Sequence, residues 1–184
     1  MLISTDIEEV LNAQLPAYVQ ALPRPPELCG DTVPMAQVLL HALQAAQVQG
    51  TVVLLQATSP LRQVADVQAA LERLASGGFD LIMSVTEADR GVLKWGQLQA
   101  DGRFAPLSSP EHCFANRQSL PPVYKPNGAV YAMQAGWFVV QQSFVSEHIG
   151  TVVMPPERSH DIDNLFDFER CEVLLNSPTS GTPP

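Results

Sequence analysis

Apolar residues fall into two rhythms along this chain, short unbroken runs and longer stretches with a spacing of three or four. Leu2-Ile3-Ser4-Thr5-Asp6 reads as the end of a short apolar strand meeting a helix that starts at Ile7-Glu8-Glu9-Val10-Leu11, with acids in its first turn. Pro16 is expected to end that helix, and Pro23, Pro25 and Pro26 keep the next segment extended or turning. The spacing of Val38, Leu39, Ala42, Leu43 and Ala46 predicts a helix over 34–47 with Asp31-Thr32 as its cap and this face in the core. Thr51-Val52-Val53-Leu54-Leu55 is continuously apolar, as strands buried on both faces are. A polar turn over 56–62, a helix over 64–75, a Gly77-Gly78 turn and a strand over 80–85 follow. Strand character returns at 127–133 and 151–154, with a helix predicted over 135–145 and an amphipathic run over 165–175.

Helix and strand alternate, so the expected fold is α/β, a doubly wound and mostly parallel sheet with helices on its faces. Ligands in such sheets bind beyond the carboxyl ends of strands, which makes Ser4-Thr5-Asp6 and residues 56–62 the expected rim of a site. Residues 86–126 are rich in Pro, Gly, Ser and charge, and read as loops plus a hairpin. Residues 177–184 form a polar, proline-bearing tail expected to be disordered, leaving 1–176 as a one-domain length.

Composition narrows the function classes. Nineteen acids against ten bases give a net charge of −9, which argues against broad nucleic-acid binding. An anionic substrate would need local help from arginine or a metal ion, because Lys94 and Lys125 are the only lysines. Cys29, Cys113 and Cys171 are widely spaced, suggesting neither a zinc site nor a disulfide framework. No apolar run approaches the roughly 18 residues of a membrane span, and Asp6, Glu8 and Glu9 stand where a signal peptide is basic. The expected location is cytoplasmic, with no membrane association.

The sharpest chemical signal is Arg158-Ser159-His160-Asp161-Ile162-Asp163. Asp-x-Asp on an extended segment sets two hard oxygen ligands on one side. Magnesium suits such a pair, since it commonly takes one or two carboxylates and completes its shell with water and substrate phosphate. The competing reading is helix capping, which also favours Asp before a helix. His160 and His41 have no ligand partner at useful spacing.

Five segments in order resemble the acylneuraminate cytidylyltransferase family, which activates sialic acid and related nine-carbon acids as CMP-sugars. They are Ser4-Thr5-Asp6, the stretch Arg24-Pro25-Pro26-Glu27-Leu28-Cys29-Gly30-Asp31-Thr32, Leu54-Leu55-Gln56-Ala57-Thr58-Ser59-Pro60-Leu61-Arg62, Arg117-Gln118 followed by Tyr124-Lys125-Pro126-Asn127-Gly128-Ala129-Val130-Tyr131, and residues 158–163. The resemblance implies a fold of the nucleotide-diphospho-sugar transferase type and a reaction in which a sugar hydroxyl attacks the α-phosphorus of CTP and pyrophosphate leaves.

Carried over by residue, the resemblance assigns Asp161 and Asp163 to Mg2+. Gln56, Arg117, Gln118 and Asn127, with the Thr58-Ser59 turn, would line the sugar pocket, and Arg117 would take the sugar carboxylate. Arg24, Gly30 and Asp31 would sit near the cytosine or ribose, and Arg62 near the triphosphate. Lys94 matches a family lysine near the sugar or dimer contact, and Tyr131 and Tyr124 the pocket wall. A core role for Tyr131 and a capping role for Thr58-Ser59 stay open. Residues 86–126 resemble the family's dimerisation region, so a homodimer is expected.

Family members begin with a strand running into a basic phosphate loop of the type Pro-Ala-Arg-x-x-Ser-Lys, which has no counterpart here; the chain reads as N-terminally truncated against that pattern. Ala57, Lys125 and His160 are further departures. Two functions are therefore carried forward: CMP transfer from CTP to a nonulosonic acid, and a non-catalytic sugar-acid or nucleotide-binding module or inactive fragment of such an enzyme.

Overall fold

The structure is a computed structural model that describes residues 1–176. The tail expected at 177–184 lies outside the described residues. The chain is mixed α/β with a mostly parallel central sheet. That sheet has four strands in the order β3-β7-β4-β8, comprising β3 (Thr51–Leu54), β4 (Leu81–Ala88), β7 (Val123–Gln134) and β8 (Ile149–Val153). β7 is antiparallel to β3, with Thr51 opposite Gln134 and Leu54 opposite Tyr131. A separate parallel pair joins β1 (Leu2–Thr5) to β2 (Gln20–Pro23), and an antiparallel hairpin joins β5 (Gly96–Leu98) to β6 (Phe104–Pro106).

Two compact units divide the chain. One holds Met1–Leu55, Val67–Met83 and Val130–Gly150; the other holds Gln56–Asp66, Ser84–Ala129 and the chain from Thr151 on. In the first, α2 (Met35–Ala45) buries Leu39, Ala42 and Leu43 of the face that the spacing marked, while Val38 is half-buried and Ala46, just past the helix, is exposed. Leu39 and Leu43 pack with Leu81, Met133 and Phe138, the latter from α4 (Ala135–Gln141). Burial of each such side chain contributes about 1.5–3 kcal/mol. The glycine turn after α3 (Val64–Ala75) has φ of +82° at Gly77 and +84° at Gly78, a conformation that a side chain would strain.

Three details depart from the sequence reading. The first helix, α1, is one turn, Glu8–Leu11, and Asn12 rather than Pro16 ends it. The strand β2 escaped notice because Gln-Ala-Leu-Pro is too short for a period and ends in proline. Asp31-Thr32 does not cap α2; Pro34 holds the N-cap position with no side-chain hydrogen bond.

In the second unit, the Met154 N–H donates to the Val85 carbonyl at 2.8 Å, and short 3-10 turns at Arg90–Lys94, Pro110–Phe114 and Arg117–Ser119 flank the hairpin. The closing helix α5 (Leu165–Asn176) buries Cys171, half-buries Asp167 and leaves its other side chains exposed. Among the described residues no helix is long and apolar enough to cross a membrane.

Candidate active site

The acid pair is held by its own backbone. Pro155 and Pro156 bring the chain through a 3-10 turn, Pro156–Arg158, and the Ile162 N–H, between the two acids, donates to the Thr58 carbonyl at 2.9 Å. That bond sets Asp161-Ile162-Asp163 beside the polar turn 56–62, with both carboxylates exposed and Ile162 half-buried. Neither carboxylate caps the following helix. Asn164 does so, its Oδ1 accepting the Asp167 N–H at 3.1 Å, while Asp167 Oδ2 accepts the Asp163 N–H at 3.2 Å. The capping role open in the sequence is thus filled by a neighbour, and two adjacent acceptor-only groups face water.

Two hard oxygen donors of this kind fit a magnesium ion that draws its other ligands from phosphate and water. Among the described residues no group of three or more His, Cys, Asp or Glu side chains stands ready for a metal, so a dedicated protein cage is absent from them. Burial first, then the Arg170 charge, pull the His160 imidazole below the ordinary value, against an opposite pull from Asp167 and Glu157.

The turn facing the pair is built around Gly128. Its φ of +73° is one that a side chain would strain, and a Cβ there would displace Gln56 Oε1. Ser59 Oγ donates to the Asn127 carbonyl at 3.1 Å. Arg62 is half-buried; its Nε donates to the Ala129 carbonyl at 2.8 Å and its Nη2 to the Gln56 carbonyl, and burial lowers its pKa. Gln56, Thr58, Ser59, Arg62 and Asn127 therefore share one cluster with the acid segment, and Arg62 serves in it by tying two backbone segments.

Arg117 and Gln118 line a different cavity, 410 Å3 in volume, with Glu87, Ala88, Asp89 and Arg90. The Arg117 guanidinium reaches Asp89 Oδ1 at 2.8 Å, and the same oxygen accepts the Gly91 N–H at 2.8 Å. Lys94 lines a third space, a 540 Å3 apolar cavity with Phe104, Pro106, Pro110, Cys113 and Phe114.

In the other unit, Arg24 donates through Nε to Ser4 Oγ at 3.3 Å and through Nη2 to the Ser4 carbonyl at 2.6 Å, while Gly30 and Asp31 are exposed. Tyr131 packs against that unit's apolar core, its ring 5.7 Å from Phe144. Tyr124 is half-exposed on β7.

Sequence reasoning missed three side chains of the cluster: Asp66, which Arg158 grips, and Ser84 and Ser159, which bond to Asn127. Arg158 grips Asp66 through both guanidinium nitrogens, one at 3.0 Å, and Asp66 Oδ2 also accepts the Gln63 N–H at 2.8 Å. An Asp in a first helical turn reads as solvated, and nothing in a linear pattern joins it to an arginine 92 positions away.

N-acylneuraminate cytidylyltransferases of Streptococcus agalactiae are 28% identical over 166 residues, 90% of this chain and 40% of theirs. The chain resembles the acylneuraminate cytidylyltransferases. It spans about 40% of their length. A post-translational flagellin modification protein B of Campylobacter coli is 26% identical over 182 residues, covering 95% of this chain and 76% of that protein. A solved structure of CMP:2-keto-3-deoxy-manno-octonic acid synthetase complexed with CTP superposes with a TM-score of 0.63 over 95% of this chain and 79% of its own, at 14% identity, and shows a shared fold. No family model matches the chain.

Proposed function

We propose that this chain transfers CMP from CTP to a sialic-type nonulosonic acid with release of pyrophosphate. The observation that supports the proposal is the Ile162 N–H to Thr58 hydrogen bond, which holds the backbone between the two acids beside the turn bearing Gln56, Thr58 and Ser59. The similarity to N-acylneuraminate cytidylyltransferases over nine-tenths of the chain supports the chemistry.

In this reading Asp161 and Asp163 hold Mg2+, which when bound screens phosphate charge and favours ionisation of the attacking hydroxyl. The sugar hydroxyl oxygen forms the new bond to the α-phosphorus, and the bond to the pyrophosphate oxygen breaks. Arg117 takes the sugar carboxylate in a bidentate fork, which requires exchanging its contact with Asp89. Gln118 and Gln56 orient the sugar.

The exposed apolar side chains Trp95, Leu98, Phe104, Leu107 and Phe114 of the hairpin region support a homodimer. Pyrophosphate release from CTP with N-acetylneuraminate and Mg2+ is the test. Absence of product with any nonulosonic acid at high protein concentration defeats the assignment.

A second reading, a sugar-acid binding module without transfer, is favoured by Arg62, whose Nε and Nη2 hold backbone carbonyls instead of facing outward toward phosphate. Calorimetry that finds sugar-acid binding without CTP binding selects it.

A further inference from the structure

Asn127 was expected to touch the sugar, and its hydrogen bonds assign it other work. A side-chain amide offers two N–H donors and an acceptor oxygen with two lone pairs. Here the Oδ1 accepts from Ser84 Oγ at 2.5 Å and from the Ala129 N–H at 3.3 Å, while Nδ2 donates to Ser159 Oγ at 2.9 Å and meets Met154 Sδ at 3.4 Å. The reverse orientation of the amide would set an NH2 against the Ala129 N–H, so these neighbours fix which atom is which. The residue is 6% exposed. Every bonding position is filled by the protein, and a ligand hydroxyl would have to displace one.

What the filled positions connect is specific. Ser159, two residues before Asp161, accepts from Asn127 and donates to the Pro155 carbonyl at 2.9 Å. Ser59 donates to the Asn127 carbonyl, and Thr58 receives the Ile162 N–H. These bonds close a ring from the 58–59 turn through Asn127 and Ser159 to Ile162 and back. We propose that Asn127 is a positioning residue for the acid pair: through Ser159 it fixes the segment from which Asp161 and Asp163 project. This rests on the reading of those acids as metal ligands, and groups that orient metal ligands typically matter 10- to 100-fold in metal affinity or activity, on the order of 1.4–2.8 kcal/mol.

The test uses Mn2+ as a magnetic probe, measured by electron paramagnetic resonance on the full chain with and without CTP. Ser159→Ala removes the acceptor without altering Asn127, Ser159→Thr restores the hydroxyl, and Asn127→Asp keeps the Oδ1 acceptor while losing the donor. The expected result is Mn2+ affinity lowered about tenfold or more in S159A. In S159T it should return to within about threefold of the parent, with sugar-acid affinity unchanged in both. Hydrogen exchange of the Ile162 amide, read independently of metal, is expected to quicken about tenfold in S159A and N127D and to recover in S159T. Parent-like exchange and Mn2+ binding in S159A overturn the inference, as does an N127D variant that loses only sugar-acid binding. Should the parent bind no Mn2+, the functional reading fails on its own, and the Ile162 exchange rates still decide whether Asn127 and Ser159 hold the segment.

Discussion

Replacing Arg158 by alanine is expected to strand a buried carboxylate. The Asp66 side chain is 7% exposed and that of Arg158 25%, and Arg158 meets Asp66 with both terminal nitrogens. Removing one partner of a fully buried pair costs about 3–5 kcal/mol, whereas an exposed pair is worth about 0–1. Here the acid is almost wholly out of water, but the Gln63 N–H still bonds to its Oδ2 and the vacated space can admit water. An intermediate loss of about 2–3 kcal/mol follows. For a chain of this length each kcal/mol moves Tm by about 2–4 °C, so a fall of about 4–12 °C is expected in a calorimetric or circular-dichroism melt at neutral pH. The double variant Asp66→Ala with Arg158→Met leaves neither charge unpaired and should lose less than the sum of the single changes. A melt of R158A within about 1 °C of the parent, or strict additivity in the double variant, refutes the reasoning.

Gly128→Ala is expected to cost about 1–2 kcal/mol from the left-handed backbone alone, and more as the new Cβ evicts Gln56 Oε1; chemical denaturation should show the loss and parent-like stability would refute it. Arg117→Lys should leave the melt unchanged, because the Asp89 pair is about two-thirds exposed on each side, while sugar-acid affinity falls about tenfold for want of a planar fork; calorimetry separates the two. Burial, then the neighbouring Asp6, raises the Cys29 thiol pKa, so less thiolate exists at a given pH than in a free cysteine. Its alkylation by iodoacetamide, followed by mass spectrometry, should therefore be slow at neutral pH and keep rising above pH 9; fast labelling at pH 7 contradicts this.

The amphipathic spacings and apolar runs were legible because each reports a local period: α3 spans the expected Val64–Ala75, and the Leu39, Ala42, Leu43 face is in the core. Boundaries set by single hydrogen bonds were not. β4 runs on to Ala88 and β7 starts at Val123, inside a stretch whose prolines and charges read as loop, because pairing with neighbours overrides composition. The Asp-x-Asp signal was legible as chemistry, yet its surroundings were not. Asn164 is one polar residue among several before α5, and only the fold shows that it takes the cap and leaves the acids free.

Asn127 makes the same point from the other side. In sequence it is a polar residue in a motif, and polarity in a motif suggests ligand contact. In the fold it is buried on a strand, where an unmet amide costs about 1–3 kcal/mol, so its partners had to be protein groups. Those partners reach Ser84, 43 positions earlier, and Ser159, 32 later, separations at which a hydroxyl leaves no periodic trace. A residue can therefore belong to a functional motif for where it holds its neighbours, and burial together with a full set of hydrogen bonds separates that role from contact with substrate.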